Sequence, residues 1–347
     1  MAFSTHIEIA GRRIGPGEPC YVIAEAGVSH FGSMEKADQL IDLAVSAGAD
    51  AFKTQHFHTD VLVGPCSPDW RERLRSKELP DAAIRAMRDR CRAKGISFLC
   101  TAHDEPALGF LADELDVPAF KIGSGEVENW PFLAKVARYG KPVVLSTGMY
   151  TLEQIREAIT VMADNGCSSL AILHCVTSYP ADPSIVNLRV MQRIREFFPG
   201  PVGYSDHTAG TAVPLAAVAL GANIIEKHIT LERDIPNAQD WKVACDPSNL
   251  PRFIADIREV EAAQGESNKH LSQDEQRSLL WARKSVTLTR DVPAGSVLEP
   301  SMLQAQRPGI GIPPSALARV VGSRLRVSLA AGSPLAWEQI DPALPRG

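Results

Sequence analysis

The chain has 347 residues, 45% of them hydrophobic and 22% charged, which is typical of globular proteins. Its net charge of −5 and the lack of a long basic run disfavour nucleic acid as a main partner. The longest apolar run, 212–225, is too short to span a bilayer, and the N-terminus lacks an export pattern. We therefore expect a cytoplasmic protein with no membrane partner. The seven cysteines lack regular spacing, so we expect reduced thiols, with Cys100, Cys175 and Cys245 in the core.

Short β-branched runs alternate with longer amphipathic runs over most of the chain. The opening segment HIEIAGRRIG predicts a hairpin that closes the bottom of the domain after it. Among the amphipathic runs, 33–48 and 184–198 each predict one helix. Eight units of strand and helix predict a (β/α)8 TIM barrel rather than an open doubly wound sheet. The predicted strands are 21–26, 50–55, 96–100, 119–123, 142–147, 170–176, 201–205 and 223–228.

The pattern changes after residue 263, where a polar stretch precedes a segment punctuated by proline and glycine. We predict a barrel domain with its hairpin over 1–263, a linker over 264–283 and a small β-rich domain over 284–347. A domain of this size has little core of its own, so we expect it to pack against a barrel, in the same chain or in a dimer.

Two predicted strands end in histidine, one in the sequence YSDH and the next in IEKH. Because side chains alternate faces along a strand, Ser205 and His207 should share one face, as should Glu226 and His228. The two imidazoles could then reach one divalent ion. The alternative is that each histidine is a structural or solvated residue.

Other strand ends carry groups that suit an anion. The segment KIGSGE places Lys121 beside glycines whose amides could approach an anion, although a tight turn with a solvated lysine remains the alternative. Lys53 stands inside the apolar run AFKTQ, where a charge is costly unless it meets an anion. Together these features predict a cavity for a phosphate and a carboxylate beside a divalent metal, as a phosphoenolpyruvate site requires.

Several further histidines are expected near the same mouth. His56 and His58, in QHFHTD, could imitate a metal pair, but they run from a strand into a loop. We expect them to be polar lining rather than ligands, and His30, His103 and His174 to lie nearby.

The motifs IAEAGVSHFGS, AFKTQ, PAFKIGSGE, LSTGM, HCVTSYP, GYSDHT, VALGANIIEKHIT and QRPG run in order across nearly the whole chain. In this the sequence resembles the N-acetylneuraminate (sialic acid) synthase family. The resemblance implies a barrel followed by an antifreeze-like (SAF) domain, in a domain-swapped homodimer. It also implies condensation of phosphoenolpyruvate with N-acetylmannosamine or a related amino sugar, with Mn2+ or Mg2+ as cofactor and phosphate as a product.

The resemblance also assigns residues motif by motif. It implies that His207 and His228 hold the metal and that the small domain brings Arg307 into the partner subunit's site. The residues it places at the reacting atoms are Glu25, Lys53, Lys121 and Glu126. Those it places around the two substrates are Gln55, Thr101, Ser124, Ser146, Thr177, Tyr179, Ser205, Asp240 and Arg307.

Three segments depart from the pattern of the family, namely Ser29–Gly32, Cys100–Asp104 and Ala238–Lys242. The changes fall where the acceptor should lie, so a legionaminate, pseudaminate, spore-coat or other surface-polysaccharide precursor is an alternative acceptor. Tolerated loop changes with N-acetylmannosamine as the acceptor are the other interpretation. A 3-deoxy-octulosonate phosphate synthase is disfavoured because it lacks the C-terminal domain, and a non-catalytic sugar-binding or scaffold protein is the remaining alternative.

Overall fold

The computed structural model describes residues 3–235, 238 and 240–341. The chain divides into two compact units, Met1–Gly265 and Glu266–Gly347. The predicted linker is partly helical, since it contains the helix Gln273–Ala282. In the described part of the chain, no helix is long and apolar enough to cross a membrane.

The first unit is the predicted TIM barrel. Its eight parallel strands close in the order β10-β3-β4-β5-β6-β7-β8-β9. A preceding hairpin pairs β1 (Ile7–Ile9) with β2 (Arg12–Ile14), as the sequence predicts. The barrel strands are β3 (Tyr21–Gly27), β4 (Ala51–His56), β5 (Ser97–Ala102), β6 (Phe120–Ile122), β7 (Val143–Ser146), β8 (Leu170–Cys175), β9 (Val202–Asp206) and β10 (Ile224–His228).

Helices follow the strands along the chain. The first begins after the Ser33 cap and ends at Gly48, which has a φ of 81°. The α-helices of the barrel unit are Met34–Ala47, Thr59–Leu62, Pro68–Arg75, Asp81–Lys94, Glu105–Gly109, Trp130–Arg138, Leu152–Asp164, Pro183–Val186, Val190–Arg195, Ala212–Ala219 and Leu250–Gln264.

The single helix predicted over 184–198 is wrong. The segment forms two short helices, separated at Asn187, which has a left-handed φ of 52°. The apolar positions at helical spacing still face the core, since Val186 and Ile194 are both buried. Spacing alone does not reveal a residue whose backbone leaves the helix.

The barrel interior is apolar at one end and charged at the other. Ile9 and Ile14 of the hairpin pack with Ile23, Leu99 and other interior side chains in one buried cluster, so the hairpin closes the bottom. Towards the carboxyl ends of the strands, buried polar and charged side chains replace the apolar ones. The carboxyl end of a TIM barrel is where active sites form.

The second unit is small and rich in β structure. The strands Ser285–Leu288 and Leu303–Gln306 pair antiparallel, as do Arg324–Leu325 and Ile340–Asp341. It has a small core of its own, in which Val286 and Leu288 are completely buried. The unit also contains a short α-helix, Leu317–Val320.

Candidate active site

One cavity opens at the carboxyl end of the barrel, and most of the predicted site residues meet in it. Their proximity follows from the strand register, which places Glu25 opposite both Lys53 and His228, and Thr101 opposite both Gln55 and Lys121. We call it the central cavity. The predicted residues that line it are Glu25, Lys53, Gln55, Thr101, Lys121, Ser124, Ser146, Thr177, Tyr179, Ser205, His207 and His228.

Two lysines and two glutamates form the floor of the central cavity. Lys53 Nζ lies 2.6 Å from Glu25 Oε2 and 3.6 Å from Glu226 Oε2. Lys121 Nζ lies 3.7 Å from Glu226 Oε1. All four side chains are at most 5% exposed, so each charge depends on its neighbours for stabilisation.

The pKa values follow from this arrangement. Burial lowers the pKa of Lys53, but Glu226 and Glu25 outweigh that effect and hold the pKa above its usual value. Burial would raise the pKa of Glu226, yet Lys121 and Lys53 hold it well below its usual range. For Lys121, burial prevails over the attraction of Glu226 and lowers the pKa. A bound anion beside Lys121 would therefore favour its charged form.

The hydroxyls around the floor are arranged to donate to a ligand. Thr101 Oγ1 accepts from Lys53 Nζ at 3.1 Å, and Ser146 Oγ accepts from Lys121 Nζ at 2.7 Å. Ser124 Oγ accepts from the Gly148 amide at 2.8 Å. Each oxygen accepts a hydrogen bond there, which leaves its own proton available for a substrate oxygen.

Ser205 is arranged differently. Its hydroxyl donates to Glu226 Oε1 at 2.9 Å, so this serine orients the carboxylate in the structure. The neighbouring Asp206 faces away from the cavity, where it accepts from Thr208 and Lys227 and stabilises the turn.

The two predicted metal ligands come together at the wall. The rings of His207 and His228 have centroids 5.4 Å apart. His207 Nδ1 donates to the carbonyl of Val176 at 2.8 Å, and Nε2 accepts from the hydroxyl of Tyr179 at 2.8 Å. Burial, together with the neighbouring His228, lowers the pKa of His207 to about 3, so the imidazole is neutral at physiological pH.

These residues fit a divalent ion with an open coordination shell. His228 Nδ1 is buried and has no hydrogen-bond partner among the described residues. The nearest carboxylate to it belongs to Asp240, at 4.0 Å. In the described part of the chain, no third histidine, cysteine or carboxylate joins the pair in a compact ligand group. Two imidazoles alone would leave other coordination positions of a divalent ion open, with room for substrate oxygens.

A second cavity, which we call the outer cavity, adjoins the central one. Gln55, Tyr179 and His228 line both. Asp240, predicted on the sugar side, lines the outer cavity only. Ser29 and Ala238, which depart from the pattern of the family, also line it, whereas Gln239 lies outside the described residues.

Besides Asp240, two predicted residues are not in the lining of the central cavity. Glu126 lies in a short turn, where its carboxylate accepts from Asn129 Nδ2 at 2.6 Å, and burial raises its pKa. Arg307 belongs to the second unit, where its guanidinium lies 5.9 Å from the ring centroid of Trp281.

Glu226 and Cys175 also line the central cavity, although the sequence analysis did not include them in the site. Cys175 was expected in the core, but its Sγ lies 3.6 Å from His207 Nδ1. Cys100 and Cys245 do pack in the core. The alternation along β10 placed Glu226 on the same face as His228, and that signal was sufficient to find it.

The five other histidines that were predicted near the mouth divide into two sets. His103 lines the central cavity, and His30 and His174 are buried. His56 and His58 are absent from the described lining of that cavity. Together with Asp81 they form a group that could hold a metal ion, with one ligand atom from each within 4.8 Å of the others.

Known proteins match the chain along most of its length. The NeuB family model matches residues 40–269, and the SAF domain model matches residues 283–341. The chain belongs to the NeuB family. It is a phosphoenolpyruvate-condensing synthase, which agrees with the charged cavity and excludes the non-catalytic alternative.

Relatives of this NeuB-family synthase carry different names. The chain is 38% identical to the N,N'-diacetyllegionaminic acid synthase of Legionella pneumophila, over 94% of this chain and 96% of that one. It is 34% identical to the human N-acetylneuraminate-9-phosphate synthase, over 95% of each chain. The solved N-acetylneuraminic acid synthetase of Leptospira borgpetersenii superposes with a TM-score of 0.74 at 30% identity, over 80% of this chain and 96% of that one.

Proposed function

We propose that this NeuB-family synthase condenses phosphoenolpyruvate with N-acetylmannosamine or a related amino sugar to give a nonulosonic acid and phosphate. The observation that carries this proposal is the buried floor of Lys53, Glu25, Glu226 and Lys121, ringed by hydroxyls and adjoining the two histidines. Such a floor can hold an anion and place a carboxylate beside a developing positive charge.

Phosphoenolpyruvate would bind with its phosphate towards Lys121, Ser124 and Ser146. These groups offer one ammonium and two hydroxyls with available protons. The carboxylate of phosphoenolpyruvate would lie near Lys53 and Gln55, at the edge shared with the outer cavity. This assignment places one anionic group of phosphoenolpyruvate beside each of the two buried lysines, Lys53 and Lys121.

His207 and His228 would hold the divalent ion, Mn2+ or Mg2+. When bound, the ion would polarise the aldehyde of the open-chain sugar as a Lewis acid. The protein's contribution is to present two imidazoles, one of them oriented by the carbonyl of Val176.

The reaction balances with water as the third reactant. C3 of phosphoenolpyruvate attacks the aldehyde carbon, a C–C bond forms, and positive charge develops at C2. Water adds to C2, and the C2–O bond to phosphate breaks. The two protons of water end on the former aldehyde oxygen and on the released phosphate. The Glu25 carboxylate, buried within the floor, would stabilise the positive charge and accept a proton from the water.

The acceptor would occupy the outer cavity. Asp240 and Gln55 offer polar contacts there, and Trp70 and Phe31 offer aromatic surface. The altered residues Ser29 and Ala238 lie in the same lining, which favours a legionaminate-, pseudaminate- or surface-polysaccharide-type sugar as the second candidate.

The small domain would complete the site of a partner subunit in a domain-swapped homodimer. Arg307 is exposed, and Trp281, over which it lies, is 61% exposed in the second unit. Large exposed apolar side chains are typical of interfaces. Mixing Arg307→Ala with Lys121→Ala would restore phosphate release if the arginine acts across subunits, since some mixed dimers would contain one intact site.

The decisive experiment measures phosphate release from phosphoenolpyruvate with Mn2+ across N-acylated mannosamine-type and bacillosamine-derived sugars. Release with N-acetylmannosamine supports the first acceptor, and release only with another sugar supports the second. Lys121→Met is the negative control, and Lys135→Met, at an exposed ion pair with Glu105, is the matched neutral control. Failure to bind phosphoenolpyruvate at all would overturn the proposal.

A further inference from the structure

A second group of metal-ligand side chains lies outside both cavities. His56 ends β4 and is 1% exposed, and His58 stands two residues later, just before the helix Thr59–Leu62. Asp81 is the first residue of the helix Asp81–Lys94. The three residues therefore come from one strand end and two helix starts that only the folded barrel brings together.

The two histidines point at the same carboxylate oxygen. His56 Nε2 lies 2.9 Å from Asp81 Oδ1, and His58 Nε2 lies 3.9 Å from it. The first distance is a hydrogen bond, whereas the second is too long for one. If these side chains served only to cap helices, the imidazole of His58 would not need to face the same carboxylate oxygen of Asp81 as His56 does.

A fourth residue fixes the orientation of His58. Asp104 is 6% exposed, and its carboxylate accepts from the backbone amide of His58 at 2.6 Å and from His58 Nδ1 at 3.0 Å. It also accepts from the Ala107 amide, so its position is determined by the helix that it caps. Because Nδ1 faces Asp104, Nε2 is the ring nitrogen of His58 that faces Asp81. Carboxylates orient metal-binding histidines in this way.

The charges at this group call for a cation. Among the described residues, neither Asp81 nor Asp104 has a lysine or arginine within 4.0 Å, and their ion pairs are with histidine alone. These two carboxylates, one of them buried, therefore have no lysine or arginine as a fixed counter-charge among the described residues.

The spacing suits an ion of the size of Zn2+. Ligand bonds of about 2.0–2.2 Å in a tetrahedron place neighbouring ligand atoms about 3.3–3.5 Å apart. The observed 2.9 and 3.9 Å lie on either side of that value. Asp81 is half exposed, so its side chain can move by the few tenths of an ångström required. The exposed side also leaves room for water as the fourth ligand.

We propose that His56, His58 and Asp81 bind a Zn2+ ion, with Asp104 behind His58. The site joins the end of β4 to the starts of the helices at residues 81 and 105. The chain between His58 and Asp81 also contains the helix Pro68–Arg75, whose Trp70 and Arg73 line the outer cavity. The ion would therefore hold the wall of the outer cavity in place without contacting substrate. The proposal stands independently of the acceptor and of the condensation reaction.

The test is Zn2+ binding to the chelator-stripped full chain, measured by equilibrium dialysis with metal analysis. Wild type should bind about two equivalents, one at this group and one at His207 and His228. His58→Ala and Asp81→Asn should each remove about one, and Asp104→Asn should weaken that site about 10- to 100-fold. His207→Ala should remove only the other equivalent.

The controls separate metal binding from folding. Asp69→Asn alters another aspartate in the first turn of a helix and should leave both equivalents in place. Zn2+ should raise the melting temperature of His207→Ala but not that of its double variant with Asp81→Asn. Unchanged zinc stoichiometry in Asp81→Asn, or loss of all zinc in His207→Ala, would overturn the proposal.

Discussion

Glu25 and Lys53 face each other across adjacent strands of the barrel, in register, with 2.6 Å between Oε2 and Nζ. Both side chains are at most 3% exposed, and Glu226 is the next anion, at 3.6 Å from the same ammonium. An ion pair at this depth is weak support for stability, because desolvation offsets much of the attraction. Its position in the floor of the central cavity suits the proposed role at the reacting atoms better than a role in stability.

This pair predicts a characteristic result in a double-mutant cycle. Lys53→Met leaves the buried Glu25 without its ion-pair partner and Glu226 with Lys121 alone, and should cost about 3–5 kcal/mol of unfolding free energy. Adding Glu25→Gln should recover about 1–3 kcal/mol. Phosphate release should stay at least about 100-fold below wild type in both variants. Urea unfolding and the phosphate assay measure the two effects, and equal stability of the single and double variants would contradict the pairing.

The glycine after Ser146-Thr147 should be intolerant of any side chain. A Cβ at Gly148 would collide with Thr177 Oγ1 and lie 2.9 Å from Ser124 Oγ. Gly148→Ala should therefore raise the KM for phosphoenolpyruvate at least about 10-fold, a loss of about 1.4 kcal/mol of binding. Gly109→Ala is the matched control, since its Cβ would meet only Asp113 Oδ2, at 4.0 Å. An unchanged KM in Gly148→Ala would show that the hydroxyls of Thr177 and Ser124 do not contribute to phosphoenolpyruvate binding.

The sequence was sufficient to predict the barrel because each strand is a short β-branched run between turn signals. It also placed Glu25, Lys53, Lys121, His207 and His228 at one end, since alternation and the parallel register determine which side chains converge. These inferences depend on the local sequence pattern and on one topological rule, that the carboxyl ends of the parallel strands lie at the same end of the barrel.

Contacts that depend on loop packing were not predictable in this way. Asp81 is 25 residues from His56, and only the folded loops bring their side chains to 2.9 Å. The sequence did not indicate that Cys175 lies in the cavity either. A cysteine in an apolar strand gives the same sequence pattern whether its side chain faces the core or the cavity. The role of Glu126 rested on the resemblance alone and remains a prediction.

Removal of the ion at the histidine pair should abolish turnover and spare phosphoenolpyruvate binding. Chelation should stop phosphate release, and Mn2+ should restore it in wild type but not in His207→Ala or His228→Ala. The Kd for phosphoenolpyruvate should change by less than about 10-fold, because the lysines and hydroxyls supply most of that binding. His270→Ala, at an exposed histidine, is the control. Full activity in the presence of chelator would contradict the proposed metal-binding role of His207 and His228.

Stability should fall as the solution becomes mildly acidic, and His30 should be one cause. Burial lowers the pKa of this histidine to about 4, and Nδ1 accepts from the Gly32 amide, which requires the neutral form. The unfolded chain titrates near the ordinary value of about 6.5, so below that pH it binds more protons than the folded chain does. The folded state should then lose about 1–2 kcal/mol between pH 6.5 and pH 5 from this residue. His30→Asn retains an acceptor for Gly32 and cannot titrate, so its unfolding free energy should decline less steeply over the same interval. Urea unfolding at several pH values measures the two slopes, and parallel slopes would show that His30 does not contribute.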